Sequence, residues 1–229
     1  MKSPHYVHDY EQLVKDLKKN FTLDDAMSHA VGGAYKETGE TEHKILAYAG
    51  LEPHSSLVDV GCGSGRLASA LGKSDFRGSY IGTDVVQDLL DYAREKCPPH
   101  FQFYRHTELS IPAQDNSIDF VCAFSVFTHL HHEESYIYIE DARRVLKSGG
   151  KLVFSFLEFA TDHHWTAFQA TIDARRNGTL PHLNMFIERN AISLWAHKIG
   201  FNVQEFIEGA DAPWGGNHLG QTTVILSRN

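Results

Sequence analysis

Cysteine is scarce in this 229-residue chain: Cys62, Cys97 and Cys122 are the three it has, and none sits in a CxxC pair. An odd count without that spacing argues against a disulfide framework or a cysteine zinc site and points to a reducing compartment. Long apolar runs are missing too. The N-terminus, Met1-Lys2-Ser3-Pro4-His5-Tyr6, has no hydrophobic signal core, and the longest apolar stretch, around Phe120 to Phe127, has the length of a buried strand. These absences give a cytoplasmic expectation with no membrane partner. The fifteen histidines include no HExxH or similar ligand spacing, and neighbouring side chains such as His131-His132 and His163-His164 rarely converge on one ion, so no metal is expected. A basic stripe is also lacking. The formal net charge is −8, and the tight basic pairs, Arg143-Arg144 and Arg175-Arg176, read as solvated helix faces, so nucleic acid is not an expected partner.

What is present fits one α/β domain with additions. Hydrophobic residues make up 42% and charged residues 22%, the balance of an ordinary globular protein. From about residue 55, short β-branched or aromatic runs alternate with helix-patterned segments, which is how βαβ units and a mostly parallel sheet read. The strands expected are Ser56–Val60, Gly78–Thr83 ending at Asp84, Phe101–Arg105, Ile118–Phe124 and Lys151–Leu157. The helices between them are Arg66–Gly72, Val86–Lys96 and about Glu133–Leu146, the last ending at a Lys147-Ser148-Gly149-Gly150 stop. A helix Arg189–Ile199 with Gly200 as its stop precedes strands Phe201–Ile207 and Thr222–Ser227. No helical pattern joins those two strands, so they are expected to be antiparallel neighbours. Residues 1–54 read as a helical leader, broken at Val31-Gly32-Gly33, and residues 55–229 as the main domain. Within it, residues 158–188 form an insertion with a helix from His163 to Asn177.

The chemistry is expected at the turn Asp59-Val60-Gly61-Cys62-Gly63-Ser64-Gly65. In a doubly wound sheet, ligands bind beyond the carboxyl ends of the strands, where the winding reverses. Glycines let the backbone turn sharply and approach a ligand, and the helix that follows offers free N–H groups to an anionic group. The dinucleotide fingerprint is GxGxxG, but here Arg66 stands in place of its third glycine, which that close helix–strand packing would not accommodate. A Walker A reading fails because no GK[ST] follows. Asp84, 19 residues after Gly65, closes the second strand, where a carboxylate accepts from ribose hydroxyls; a helix N-cap is its other reading.

These segments resemble the motifs of class I S-adenosylmethionine (SAM)-dependent methyltransferases. Leu57 to Gly65 looks like the first motif and Tyr80-Ile81-Gly82-Thr83-Asp84 like the second. Ile111-Pro112 with Asp115 to Val121 is similar to the entry into strand four, and Val145 to Leu152 to the approach to strand five. The resemblance implies a Rossmann-like doubly wound seven-stranded sheet, ordered 3-2-1-4-5-7-6 with the last strand antiparallel. It implies SAM as cofactor and S-adenosylhomocysteine (SAH) as product. Asp59, Gly61 and Gly63 would surround the methionine part, and Asp84 and Val85 the ribose and adenine. Cys62, Gly65, Arg66, Thr107, Glu108, Phe124 and Ser125 complete the expected lining. Many relatives carry an aspartate where this chain has Thr107, so the adenine contact falls to a backbone group or to Glu108.

His129, just after strand four, resembles the histidine that many small-molecule methyltransferases carry there. It reads either as a base for a hydroxyl acceptor or as a residue that contacts SAM or packs at a helix start. The expected partner is therefore a small-molecule methyl acceptor with a hydroxyl oxygen; a protein or RNA acceptor, and a SAM-binding scaffold without catalysis, are the alternatives. The leader and the insertion are the natural substrate covers, with Val31 to Tyr35 over the methionine end of SAM. Asp162, His163, His164, Trp165, Trp214, Asn217 and His218 read chiefly as surface or packing residues.

Overall fold

A computed structural model describes residues 5–179 and 184–229, the side chain of His5 excepted. The expectations for residues 1–4 and 180–183 lie outside the described residues. Three helices make up the leader: α1 (His5–Asn20), α2 (Leu23–Ala30) and α3 (Tyr35–Tyr48). Thr22 caps α2 by accepting from the Asp25 amide, and Asp24 and Asp25 complement the positive helix end. Gly32 and Gly33, at φ +88° and +80°, then turn the chain in the left-handed region toward α3.

The remaining elements alternate. They are β1 (Leu57–Val60), α4 (Arg66–Gly72), β2 (Tyr80–Asp84), α5 (Gln87–Lys96), β3 (Gln102–Arg105), β4 (Ile118–Ala123), a 3-10 turn (Phe127–His129), α6 (His132–Val145), β5 (Leu146–Phe156), α7 (Asp162–Arg176), α8 (Arg189–Ile199), β6 (Phe201–Ile207) and β7 (Thr222–Arg228). The sheet order is β3-β2-β1-β4-β5-β7-β6. β1 pairs in parallel with β2 and β4, and β7 runs antiparallel to both β5 and β6. The Rossmann-like sheet and its antiparallel last strand are thus as the motifs implied.

Alternation along β1 sends Val58 and Val60 into one core and Leu57 into another, so both faces of the strand are covered. The first core is closed by α6 and α8 through Ile139, Ala142 and Ile192; the second by α3, α4 and α5 through Leu46, Leu71 and Leu90. Asp59 falls on the Leu57 face, beneath the leader. A third cluster docks the leader on α5: Val14 and Met27 meet Val86 and Leu89, all of them buried. Each such side chain stabilises the docking by about 1.5–3 kcal/mol.

Most boundaries lie within one or two residues of the sequence reading, and the start of β5 differs by more. The helix before β5 ends at Val145, and Leu146 is already extended (φ −67°, ψ 142°) and paired with Ile118, so Lys147 to Gly150 belong to the strand. The register shifts between Ile118 and Phe120, and Gly149 takes φ +75°. The glycine pair therefore accommodates a bulge within the strand.

Candidate active site

A cavity of about 410 Å³ opens at the carboxyl ends of β1, β2 and β4. Asp59, Gly61, Cys62, Gly63, Arg66, Asp84, Val85, Phe124, Ser125 and His129 all line it. The turn after β1 reaches it because Gly61 and Gly63 hold φ of +68° and +54°. A Cβ at Gly61 would stand 2.4 Å from Val126 Cγ2, and one at Gly63 would stand 2.5 Å from Val31 Cγ1. The main chain here is gripped between the leader and the β4 loop and presents backbone atoms, with no side chain in the way.

Asp84 sits at the tip of β2. Its Oδ2 accepts from the Gly63 amide at 2.9 Å and its Oδ1 from the Val86 amide at 2.9 Å. Burial raises its pKa, and these amides together with that of Val85 pull the other way. A carboxylate has about four acceptor positions, so the Asp84 side chain, which lines the cavity, keeps capacity for a further donor.

Asp59 is 4% exposed and accepts from the Tyr80 hydroxyl at 2.6 Å and from Cys122 Sγ at 3.5 Å. Burial pushes its carboxyl up to about 7, with Glu42 adding to the rise; Tyr80, Cys122 and Arg66 oppose it. Arg66, the residue that broke the dinucleotide pattern, pairs through Nη2 with Glu42 at 2.6 Å and also donates to the Val31 carbonyl. The cation therefore ties α4 to α3 and to the end of α2. Ser64 Oγ donates to the Met27 carbonyl at 3.0 Å and the Tyr35 hydroxyl donates to the Ser64 carbonyl at 3.0 Å, which adds two further links between leader and turn.

Three residues expected at the cofactor stand away from the cavity. Gly65 caps α4 at φ +82°, and its Cβ position faces Ala93 of α5 at 2.8 Å, so its role is helix packing. Thr107 and Glu108 are absent from the lining; the Glu108 side chain is exposed and its carbonyl accepts from the Tyr138 hydroxyl at 3.1 Å. The neighbouring His106 lines the cavity instead, its Nε2 within 2.9 Å of Ser110 Oγ.

The leader and the insertion also part company. Tyr6, Tyr10 and Leu13 of α1, at i, i+4 and i+7, form a roof on one helical face, joined by His29 to Gly32 at the end of α2. Among the described residues of 158–188 none lines the cavity. His164 is buried and bonds the Gly220 carbonyl, while Trp214 donates to Asn217 O and packs edge-on to Tyr48. Sequence reasoning missed the α1 face, although its spacing of aromatic and apolar residues was readable. It also missed Glu42 and Gln221, whose contacts with Arg66 and with Ser125 depend on tertiary folding.

Comparison with known proteins agrees with this geometry. Residues 58–154 match the family described as Methyltransferase domain. The chain is 27% identical over 145 residues to an uncharacterized methyltransferase of Bacillus mycoides, covering 62% of this chain and 64% of that one. It therefore spans a little under two thirds of that relative's length. Among solved structures it is similar to magnesium protoporphyrin IX methyltransferase of Synechocystis PCC 6803 with bound SAH, at 17% identity, TM-score 0.69 and 98% of each chain. It is also similar to a Haloferax volcanii methyltransferase in complex with the Trm112 activator, at 16% identity, TM-score 0.67, and 99% and 98% coverage. At such identities the likeness to solved structures is a likeness of fold. The sheet order, the glycine turn and the match over residues 58–154 together support a class I SAM-dependent methyltransferase domain.

Proposed function

We propose that the protein transfers the methyl group of SAM to a small molecule, at a hydroxyl oxygen. The observation that carries this reading is the roof: α1 and α2 enclose the same cavity that holds Gly61, Gly63, Asp84 and His129. A roofed cavity of this volume is of the size that takes small ligands. With a formal charge of −8, the chain also offers little attraction to RNA.

When bound, SAM supplies an electrophilic methyl on a sulfonium, whose departure needs no proton. The protein's tasks are then alignment, exclusion of water and removal of the acceptor's proton. Asp84 and Val85 take the ribose and adenine, and the backbone from Gly61 to Gly63 takes the methionine part, with Arg66 beside it. Tyr6, Tyr10 and Leu13 keep water out from above. His129, beyond β4, receives the hydroxyl proton on a ring nitrogen as the oxygen attacks. Alignment in a closed site supplies the larger part of the acceleration, and the base adds about 10²–10⁴-fold.

The test is transfer from methyl-labelled SAM to a panel of phenols, aliphatic alcohols, amines and total RNA. Label in methyl ethers is the expected result. Label confined to amines, to RNA or to protein would overturn the assignment of the acceptor.

A further inference from the structure

Gln221 lines the cavity and has no part in the steps above. It directly precedes β7, and because β7 runs antiparallel to β5, this end of it lies at the edge where β1, β4 and β5 finish. The insertion holds it there indirectly. His164 of α7 donates from Nε2 to the Gly220 carbonyl at 3.0 Å, while its Nδ1 accepts from the Glu158 amide at 3.2 Å.

Three hydrogen bonds set the orientation of the Gln221 amide. The Ser125 N–H donates to Ser155 Oγ at 2.7 Å. Ser155 Oγ then donates to Gln221 Oε1 at 2.7 Å, and Ser125 Oγ donates to the same oxygen at 3.3 Å. Ser155 is fully buried, at 0% exposure, so its proton needs an acceptor. Turning the amide over would set Nε2 against Ser155 and leave that proton without one. Ser125 is itself held at φ +59°, an uncommon conformation for a residue with a side chain, which aims its amide at Ser155. Nε2 therefore points away from the serines, and among the described residues no group accepts its two protons.

We propose that Gln221 Nε2 donates to the methyl acceptor and selects molecules that carry a carboxylate or carbonyl oxygen beside the methylated hydroxyl. This rests on the methyltransferase reading above. Position separates acceptor from cofactor: in strand order Asp84 follows β2, the glycine turn follows β1, Ser125 follows β4 and Gln221 precedes β7. Gln221 thus stands at the opposite end of the cavity from the ribose carboxylate. The insertion, none of whose described residues lines the cavity, acts on selectivity through His164 and Gly220.

Gln221→Leu removes the donors at similar volume. Gln221→Glu keeps an oxygen for Ser155 and Ser125 while turning the free donor into an acceptor. Calorimetric titration with SAH is expected to give the same affinity within about threefold for both variants and the wild type. On SAH-loaded protein, benzoate, salicylate and phenol are then titrated while the Gln221 side-chain amide resonance, identified by its loss in Gln221→Leu, is followed by NMR. The two carboxylates are expected to shift it and phenol to leave it in place. Their binding is expected to weaken about tenfold or more in Gln221→Leu, as loss of a hydrogen bond to a charged group implies, and further in Gln221→Glu. A tenfold loss of SAH affinity in Gln221→Leu would assign the amide to the cofactor. A resonance that moves with none of the probes, or equally with phenol, would also overturn the proposal. Failure of the wild type to bind SAH would instead count against the methyltransferase reading.

Discussion

The ring of Tyr10 stands edge-on to the imidazole of His129, with centroids 5.6 Å apart and planes at 73°. The leader's roof thus touches the residue assigned the proton, and burial together with the nearby Asp84 charge raises the Tyr10 pKa, which keeps its hydroxyl protonated. His129→Ala is expected to lower turnover about 10²–10⁴-fold, the usual contribution of a positioned base. SAM affinity, measured separately by calorimetry, is expected to change less than threefold. Turnover equal to wild type would remove His129 as the base.

Asp84 holds two backbone amides as well as the expected ribose hydroxyls. In Asp84→Asn the side-chain NH2 must face either the Gly63 or the Val86 amide, donor against donor. SAM binding is expected to fall about 10–100-fold, the cost of losing charged hydrogen bonds worth about 1.5–3 kcal/mol. Unchanged affinity in a titration would place the ribose elsewhere.

Asp59 makes stability depend on pH. Its folded pKa, about 7, lies above the unfolded value of about 3.9. The folded state therefore binds the proton more tightly, and this contribution is complete below about pH 4. It declines by about 1.4 kcal/mol per unit as pH rises, levelling off near pH 7. Asp59→Asn abolishes the slope, whatever constant penalty its mispairing with Tyr80 and Cys122 adds. Urea denaturation from pH 5 to 8 is expected to show the variant gaining about 2–3 kcal/mol relative to wild type up to pH 7, then no more. A constant difference across that range contradicts the assignment.

The pair of Arg66 and Glu42 joins the leader to the helix that follows the glycine turn, with side chains 11% and 2% exposed. Glu42→Ala leaves the guanidinium without its carboxylate, and loss of one member of a buried pair costs about 3–5 kcal/mol. Glu42→Gln retains an acceptor and is expected to lose less. Both are read from urea midpoints; a loss below 1 kcal/mol for Glu42→Ala would mean that the pair does not hold the leader.

Much of this fold was legible because the signals are local. The β1 run into the glycine turn, Asp84 at the tip of β2 and Gly200 after α8 each declare themselves within a few residues. The Leu146 boundary did not, because helix propensity continues to that point while pairing with Ile118 decides it. Gly65 carried a motif position, yet its contact with Ala93 across to α5 sets its role. The roof face Tyr6, Tyr10 and Leu13 had helical spacing but nothing in the sequence to say what lay beneath it. Gln221 was out of reach altogether, since its meaning depends on Ser125 and Ser155, brought close by the sheet.

The central claim is that the cavity beneath α1 binds SAM through Asp84 and the Gly61–Gly63 backbone. Calorimetric titration of the folded wild-type protein with SAH measures it most directly. One site per chain is expected, with binding lost or weakened at least tenfold in Asp84→Asn at unchanged fold by circular dichroism. Absence of SAH and SAM binding to the folded wild-type protein would contradict the account.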